Sequence, residues 1–235
     1  MGTGTRMSAE ERRLSILRAA VPLFAQNGFN GTTTKQIAKA ASVSEALLYK
    51  HFPSKEAIYS ELEEICLPKR EISEVIANLV PGTQTLVGAI YFLISMIYKG
   101  DPHPRRDGVT HDHLHRLMMN SYLEDGAFAR IFLDHNIKYW QPIFQNCIDA
   151  AVASGDMLSD WIKPEARWWL AHHIGVAIGF LNLPENQVIR YGFPIDQLLD
   201  QSVRFSLRGM GLTDEAIKTY YDPEKLAEFH NSLFK

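Results

Sequence analysis

Apolar residues recur three or four positions apart along most of this chain, which is the period of a helix with one buried face. The first such stripe runs from Leu14 to Phe24, and similar stripes continue to a last segment that begins at Pro223. No stretch alternates apolar and polar residues in the manner of a half-buried strand. The pattern therefore predicts an all-α protein.

Two short helices joined by a tight turn are predicted within residues 32–52. Thr33 and Gln36 have the spacing of a capping box, so the first helix should begin directly after Thr33. Ser44 is a second N-cap, which opens a helix of about two turns over residues 45–50. This arrangement is a helix-turn-helix.

The second helix of the pair carries side chains suited to DNA. Leu48 faces inward at the helical spacing. Glu45, Tyr49 and Lys50 fall on the opposite face, where polar and aromatic groups can reach base edges and phosphates in the major groove. The alternative interpretation is an ordinary helical hairpin with solvated charges, because this spacing alone is a weak signal.

The charge of the chain is divided unevenly along its length. The net charge of the 235 residues is −3, which by itself argues against a nucleic-acid binder. Residues 1–55, however, hold eight Lys and Arg against three Asp and Glu, and the remainder carries −8. A basic N-terminal part on an acidic body fits phosphate binding at one end of the molecule.

A series of short motifs in residues 10–58 resembles the N-terminal domain of the TetR family of bacterial transcriptional regulators. The rest of the chain has no such motif, although its length and helical character agree with the variable C-terminal domain of that family. We therefore predict a three-helix DNA-binding domain over residues 1–55 and a larger helical ligand-binding and dimerisation domain over residues 56–235. In chain order, the motifs are Gly28-Phe29, Thr32-Thr33, Ile37-Ala38, Ala41-Ser42-Val43-Ser44, Leu48-Tyr49, His51-Phe52 and Lys55-Glu56.

The resemblance implies which residues touch DNA. Some would contact phosphates, others would cap helices within reach of phosphate, and the rest would lie where the family reads base edges. The implied phosphate contacts are Lys35, Tyr49 and Lys55, the caps are Thr33 and Ser44, and the base-reading positions are Glu45, Ala46 and Lys50, with His51 at the end of the helix.

Two positions depart from the family pattern. Position 42 is serine where glycine is common in the turn, which is tolerable while its φ stays modest. Position 45 is glutamate where lysine or a neutral residue is frequent. Phosphate repels this carboxylate, but cytosine N4 can donate to it, so Glu45 is predicted to influence the preferred sequence.

Two long helices near the C-terminus are predicted to pair two copies of the chain in a four-helix bundle. Rows of small residues on both helices admit another backbone, and the resemblance implies the same pairing. The alternative is that these rows pack within one subunit. The predicted interface residues are Ala171, Gly175, Gly179, Ile195, Leu198, Leu199, Ser202 and Ser206.

Aromatic and methionine residues between positions 91 and 172 are predicted, mainly through the resemblance, to line a pocket for a small apolar or aromatic effector. The alternative is that a helical stripe of such residues is plain core. The predicted lining residues are Tyr91, Met96, His115, Met118, Met119, Tyr122, Phe128, Phe132, Trp140, Trp168 and His172.

The histidine trio His111, His113 and His115 is the one cluster that suggests metal chemistry. Two of its members share a helix face at the spacing that zinc sites use. The alternative is a polar helix start, and no glutamate or cysteine accompanies the trio in sequence. We therefore predict no metal or other cofactor, and no set of nucleophile, base and orienting residue suggests an enzyme.

The N-terminus lacks the apolar core of a signal peptide. The most apolar run, residues 168–183, is shorter than the ~20 residues that a membrane span needs. We expect a cytoplasmic protein with no membrane partner.

The combined expectation is a ligand-responsive repressor that binds a palindromic operator as a homodimer and is released by a small molecule. Activation in place of repression stays open. One alternative is a DNA-binding protein of the same fold without a small ligand, such as an architectural or division regulator. A less favoured alternative is a metal-dependent enzyme that uses the histidine trio.

Pro68 is predicted to bend the helix that follows the DNA-binding domain.

Overall fold

A computed structural model describes residues 7–66, 78–99, 109–160, 162–186 and 188–232. Within them the all-α prediction is confirmed, since the β-structure found there is an isolated bridge between Met157 and Leu212. Pro68 lies outside the described residues. The helices are α1 (Ala9–Asn27), α2 (Thr34–Ala40), α3 (Glu45–His51), α4 (Lys55–Ser60), α5 (Glu63–Cys66), α6 (Thr83–Lys99), α7 (His111–Leu123), α8 (Ala127–Ala153), α9 (Pro164–Leu181), α10 (Ile195–Gly209), α11 (Asp214–Tyr220) and α12 (Pro223–Ser232).

The chain divides into two compact units. The first unit comprises Met1–Leu67 and Pro104–His135, and the second comprises Pro68–His103 and Asn136–Lys235. The first unit therefore includes α7 and the beginning of α8, which lie beyond the domain boundary predicted after residue 55.

Local capping fixes the starts of the first helices. Thr33 forms a capping box with Gln36, as the sequence predicts, and Ser8 forms one with Glu11. Ser44 accepts from the amide of Leu47 at the start of α3. Each cap satisfies amide donors that the first turn of a helix leaves unpaired.

The first unit packs around an aromatic cluster. The Tyr59 ring lies 5.0 Å from the centroids of both Phe24 and Phe29, and 5.9 Å from Phe128. Burial raises the pKa of Tyr59 to about 12, so its hydroxyl stays protonated. Because Phe128 comes from the start of α8, this core joins α1 and α4 to a segment far along the chain.

The second unit is a helical body in which α6 is central. The face of α9 that carries Ala171, Gly175 and Gly179 is buried within this unit. A Cβ added at Gly175 would lie 3.2 Å from Cδ1 of Ile97 and 3.7 Å from Cα of Ile94, both on α6. Glycine therefore permits α9 to approach α6 closely.

Among the described residues, no helix combines the length and the apolar character that crossing a membrane requires.

Candidate nucleic-acid interface

The α2 and α3 surface presents most of the predicted DNA contacts to solvent. Seven of the nine predicted residues are exposed, and His51 and Lys55 are half-buried. A DNA contact requires this accessibility, and the two helix caps keep the surface in place. The exposed residues are Thr33, Lys35, Ser44, Glu45, Ala46, Tyr49 and Lys50.

Tyr49 is anchored between the two helices of the motif. Its hydroxyl lies 3.1 Å from the Thr34 hydroxyl, and 48% of the residue remains exposed. This hydrogen bond ties α3 to the start of α2, while about half of the tyrosine stays open to solvent. Thr34 is not among the predicted DNA contacts, because a contact between these two helices has no local signature in the sequence.

The turn between α2 and α3 is more constrained than the sequence suggests. Ser42 has a φ of 55°, which lies in the left-handed region that glycine adopts at little cost. The modest φ under which a serine is readily tolerated at this position is therefore not what the turn adopts. The amides of Ser42 and Val43 donate to the carbonyls of Lys39 and Ala38, and these bonds hold the turn.

Lys55 is engaged inside the first unit. Its Nζ donates to the carbonyls of Phe29 and Thr32 at 2.8 and 2.9 Å, and it lies 4.2 Å from the centroid of the Phe29 ring. The side chain thereby fixes the loop before α2. Two of the three N–H groups of this lysine are already used within the protein.

Arg13 is a second cation whose charge is compensated internally. Its guanidinium forms ion pairs with Glu61 and Glu64, and the Glu64 distance is 2.8 Å. The pKa of Arg13 is raised, mainly by the hydrogen bond to Glu64. The basic charge counted in residues 1–55 therefore overstates the charge that faces solvent.

The end of α7 is bound directly to the loop before the motif, which the sequence analysis missed. The Glu124 carboxylate accepts from the amides of Phe29 and Asn30 at 3.3 and 3.2 Å. The Asn120 amide donates to the carbonyls of Phe24 and Ala25 at 3.2 and 3.0 Å. A separation of about 95 residues leaves no local signal for these contacts.

The histidine trio does not converge on one point. His113 caps α7, since its Nδ1 accepts from the amide of Thr110 at 3.2 Å. The rings of His111 and His115 lie 4.0 Å apart. Within the described part of the chain, no three His, Cys, Asp or Glu side chains are placed to hold a metal ion.

His115 gives the protein an expected pH dependence. Burial, with His111 as a second cause, lowers its pKa to about 3, so the folded protein keeps this imidazole neutral. Below the unfolded pKa of ~6.5 the unfolded chain takes up a proton that the folded chain does not. The contribution of His115 to the free energy of unfolding is therefore fully present above the unfolded pKa of ~6.5. Between that pH and the folded pKa of about 3, it falls by about 1.4 kcal/mol for each pH unit.

Urea unfolding of the wild type and of His115→Gln at pH 7, 6 and 5 measures this dependence. The variant should lose less stability per pH unit than the wild type. Equal slopes for the two proteins would show that this histidine is not the source.

The predicted effector-lining residues fall into two groups. One group belongs to the first unit, and the other belongs to the second. In the second unit the centroid of the Trp168 ring lies 4.7 Å from that of Phe144 and 5.7 Å from that of His172. The Nδ1 atom of His172 is buried without a hydrogen-bond partner there. The first group is His115, Met118, Met119, Tyr122, Phe128 and Phe132, and the second is Tyr91, Met96, Trp140, Trp168 and His172.

Most of the residues predicted for the dimer interface face the interior of the second unit. Leu199, Ser202 and Ser206 are 4%, 6% and 2% exposed, and the small row on α9 packs against α6. Packing within the subunit therefore accounts for these small rows. Leu198 is half-buried, and the side chain of Ile195 is outside the described set. The outer faces of the same helices carry Leu170 and Phe205, at 52% and 69% exposed.

The part of the chain that contains the helix-turn-helix is similar to known regulatory proteins. The family described as "Bacterial regulatory proteins, tetR family" matches residues 16–62. The chain is 40% identical over 65 residues to the HTH-type transcriptional regulator AcrR of Shigella flexneri, over 28% of this chain and 30% of that protein. It is 48% identical over 58 residues to the HTH-type transcriptional regulator RutR of Escherichia coli strain K12, over 24% of this chain and 27% of that protein. The matches thus span less than a third of these curated relatives.

Solved structures share the fold over most of the chain. The transcriptional regulator FadR from Bacillus subtilis, in complex with stearoyl-CoA, has a TM-score of 0.60 at 16% identity, over 83% of this chain and 98% of that one. AibR, in complex with isovaleryl coenzyme A and operator DNA, has a TM-score of 0.57 at 18% identity, over 82% of this chain and 96% of that one. At these identities the likeness shows the shared fold alone.

Proposed function

We propose that this chain, whose residues 16–62 match the family described as "Bacterial regulatory proteins, tetR family", is a ligand-responsive transcriptional repressor. It acts in the cytoplasm, where it binds a palindromic operator as a homodimer and is released by a small molecule. Residues 1–55 read DNA, and residues 56–235 bind the effector and the second subunit. The observation that carries this proposal is the capped, exposed α2 and α3 surface inside the region that the family matches.

Geometry explains why two subunits are needed. A recognition helix of seven residues, Glu45–His51, covers only a few base pairs. Two-fold symmetry places a second helix in a major groove about 34–36 Å away, or at a multiple of that distance. Exposed Leu170 and Phe205 supply an apolar surface for pairing on the outer faces of α9 and α10.

The effector is a small apolar or aromatic molecule in this proposal. Predicted lining residues His115 and Met118 lie on α7, and Glu124, directly after this helix, holds the loop before the DNA-binding motif. A ligand that displaces α7 therefore changes the orientation of the motif. A displacement of a few Å prevents both recognition helices from docking at once.

Genomic footprinting tests the proposal as a whole. Protected palindromes should appear upstream of a few genes, and substrates of the products of those genes should release the protein from DNA. Absence of palindromic sites would contradict the repressor proposal. Specific sites that no small molecule releases would favour a DNA-binding protein of the same fold without an effector.

Replacing Glu45 by alanine should change which operator sequence is preferred. The carboxylate is exposed in the first turn of α3, where it can accept from cytosine N4. Losing one such contact removes about 1–3 kcal/mol of discrimination at one base pair in each half-site. Binding selection from a random DNA library measures this change. Lys39→Ala, an exposed change on α2, is the control, and an unchanged preference in Glu45→Ala would rule out the base-reading role.

Replacing Glu124 by alanine should weaken the link between effector and DNA. The variant leaves the amides of Phe29 and Asn30 without this acceptor, so α7 no longer holds the loop. We expect operator affinity to change by less than about tenfold, while the release caused by effector falls substantially. Glu165→Ala, an exposed change in the second unit, is the control. Unchanged release would show that this contact carries no signal.

A further inference from the structure

The second unit contains a cavity of about 250 Å³ between α6, the start of α10 and the segment that joins α11 to α12. Of the eleven residues predicted to line an effector pocket, only Tyr91 lines this cavity. Its volume is below the ~300–1,000 Å³ of pockets that take drug-sized molecules, so it suits a small compound. The lining residues are Tyr91, Lys99, Asp196, Leu199, Asp200, Tyr221, Pro223, Glu224 and Ala227.

The inner wall of the cavity is apolar and aromatic. Tyr91 and Tyr221 are each 6% exposed, and Leu199 is 4% exposed. Pro223 and Ala227 are half-buried. Rings and aliphatic groups in these positions favour a ligand with an apolar body.

A buried hydroxyl in this wall has no well-formed hydrogen bond. The Oη atom of Tyr221 is buried and makes no hydrogen bond of good geometry within the described residues, although the Asp200 carboxylate lies close enough to interact with it. Burial, together with the nearby Asp200 carboxylate, raises the pKa of Tyr221, so the phenol stays neutral. Buried polar atoms in proteins are nearly always hydrogen-bonded, and a ligand in the cavity can provide the missing bond.

The charges around the cavity favour a cation. Asp196 is paired with Lys99 at 2.5 Å, and Asp200 is paired with Arg204 at 3.0 Å. The Arg204 guanidinium also lies over the Tyr221 ring, 4.6 Å from its centroid. Two of the three lining carboxylates are therefore neutralised within the protein.

Glu224 is the carboxylate that remains. In the described part of the chain it has no ion-pair partner, and the adjacent Lys225 is paired with Asp222 at 3.0 Å. Its place in the first turn of α12 stabilises the negative charge. The mouth of the cavity thus carries one uncompensated negative charge, which repels anions and attracts an ammonium group.

We propose that this cavity binds a small organic amine with an aromatic or aliphatic body. The body packs between the two tyrosine rings and Leu199. The ammonium group donates to the Tyr221 hydroxyl oxygen, and the Glu224 carboxylate balances its charge. This site does not depend on the proposed repressor function, because it requires binding alone.

Isothermal titration of the full chain with three matched probes tests the proposal. The probes are 2-phenylethylamine, neutral 2-phenylethanol and anionic 3-phenylpropionate, with hexylamine as an aliphatic amine. We expect one site per chain for at least one of the two amines, and binding at least about tenfold weaker for the alcohol and the acid. Failure of both amines to bind, or equal affinity for the alcohol, overturns the proposal.

Variants locate the site. Glu224→Gln and Tyr221→Phe should each weaken amine binding at least about fivefold, whereas Glu228→Gln, an exposed change on the same helix outside the lining, should not. Tyr221→Phe keeps the ring and removes the hydroxyl without a partner, so its thermal midpoint without ligand should not fall. Amine binding that is equal in all three variants places the amine elsewhere and overturns the assignment.

Discussion

A monomer with greatly weakened operator binding is the expected product of replacing Phe205 by arginine. This phenylalanine is 69% exposed on α10, and large exposed apolar side chains are typical of protein interfaces. A charge at that position must be desolvated when the outer faces of α9 and α10 pair. Because a monomer holds DNA through one recognition helix, operator affinity should fall by at least about 100-fold.

Sedimentation at micromolar concentration measures the oligomeric state, and a gel-shift titration measures the affinity. Phe229→Arg is the matched control, since Phe229 is 51% exposed on α12, outside the two helices proposed to pair. The control should remain a dimer and bind the operator normally. A dimeric Phe205→Arg variant, or equal disruption by both variants, would contradict the proposed interface.

Arg167→Met should be the most destabilising of these substitutions. Arg167 has no exposed surface, although it is charged, and burial lowers its pKa. Its Nη2 donates to the carbonyls of Leu158 and Ser159 at 2.7 and 2.8 Å, and its Nε donates to that of Ile162 at 3.3 Å. Methionine fills the space but leaves these carbonyls without donors, which should cost about 3 kcal/mol of unfolding free energy.

Urea unfolding measures this cost. Arg167→Lys is the informative partner variant, because an ammonium group can restore some of the bonds but lacks the planar fork of the guanidinium. Its stability should lie between those of the wild type and Arg167→Met. A loss below about 1 kcal/mol in Arg167→Met would show that water replaces the guanidinium without difficulty.

The sequence predicted the helix starts well because capping is local. Thr33 and Ser44 each act on an amide three residues away, and the structure places both at the N-cap. The resemblance that rested on these motifs agrees with the family match over residues 16–62. The basic charge of the N-terminal part was also counted correctly, although Arg13 and Lys55 turn out to be engaged within the protein.

The small-residue row on α9 shows where local reasoning stops. A row of glycine and alanine on a helix predicts a close neighbour but does not identify it. Gly175 meets Ile97 of the same chain, so the row that suggested a second subunit serves packing within one. On the neighbouring helix, the sequence pattern around Phe205 did not distinguish this exposed side chain from a buried core residue.

The sequence alone determined that the chain is helical, that a capped helix-turn-helix lies near its N-terminus, and that this region resembles the TetR family. Those features depend on residues within a few positions of one another. The tertiary structure decided which cations remain free, which faces stay exposed, and that Glu124 holds the loop before the motif. It also created the cavity beside Tyr221 and Glu224. These features depend on contacts between distant segments, and no local periodicity encodes which segments meet.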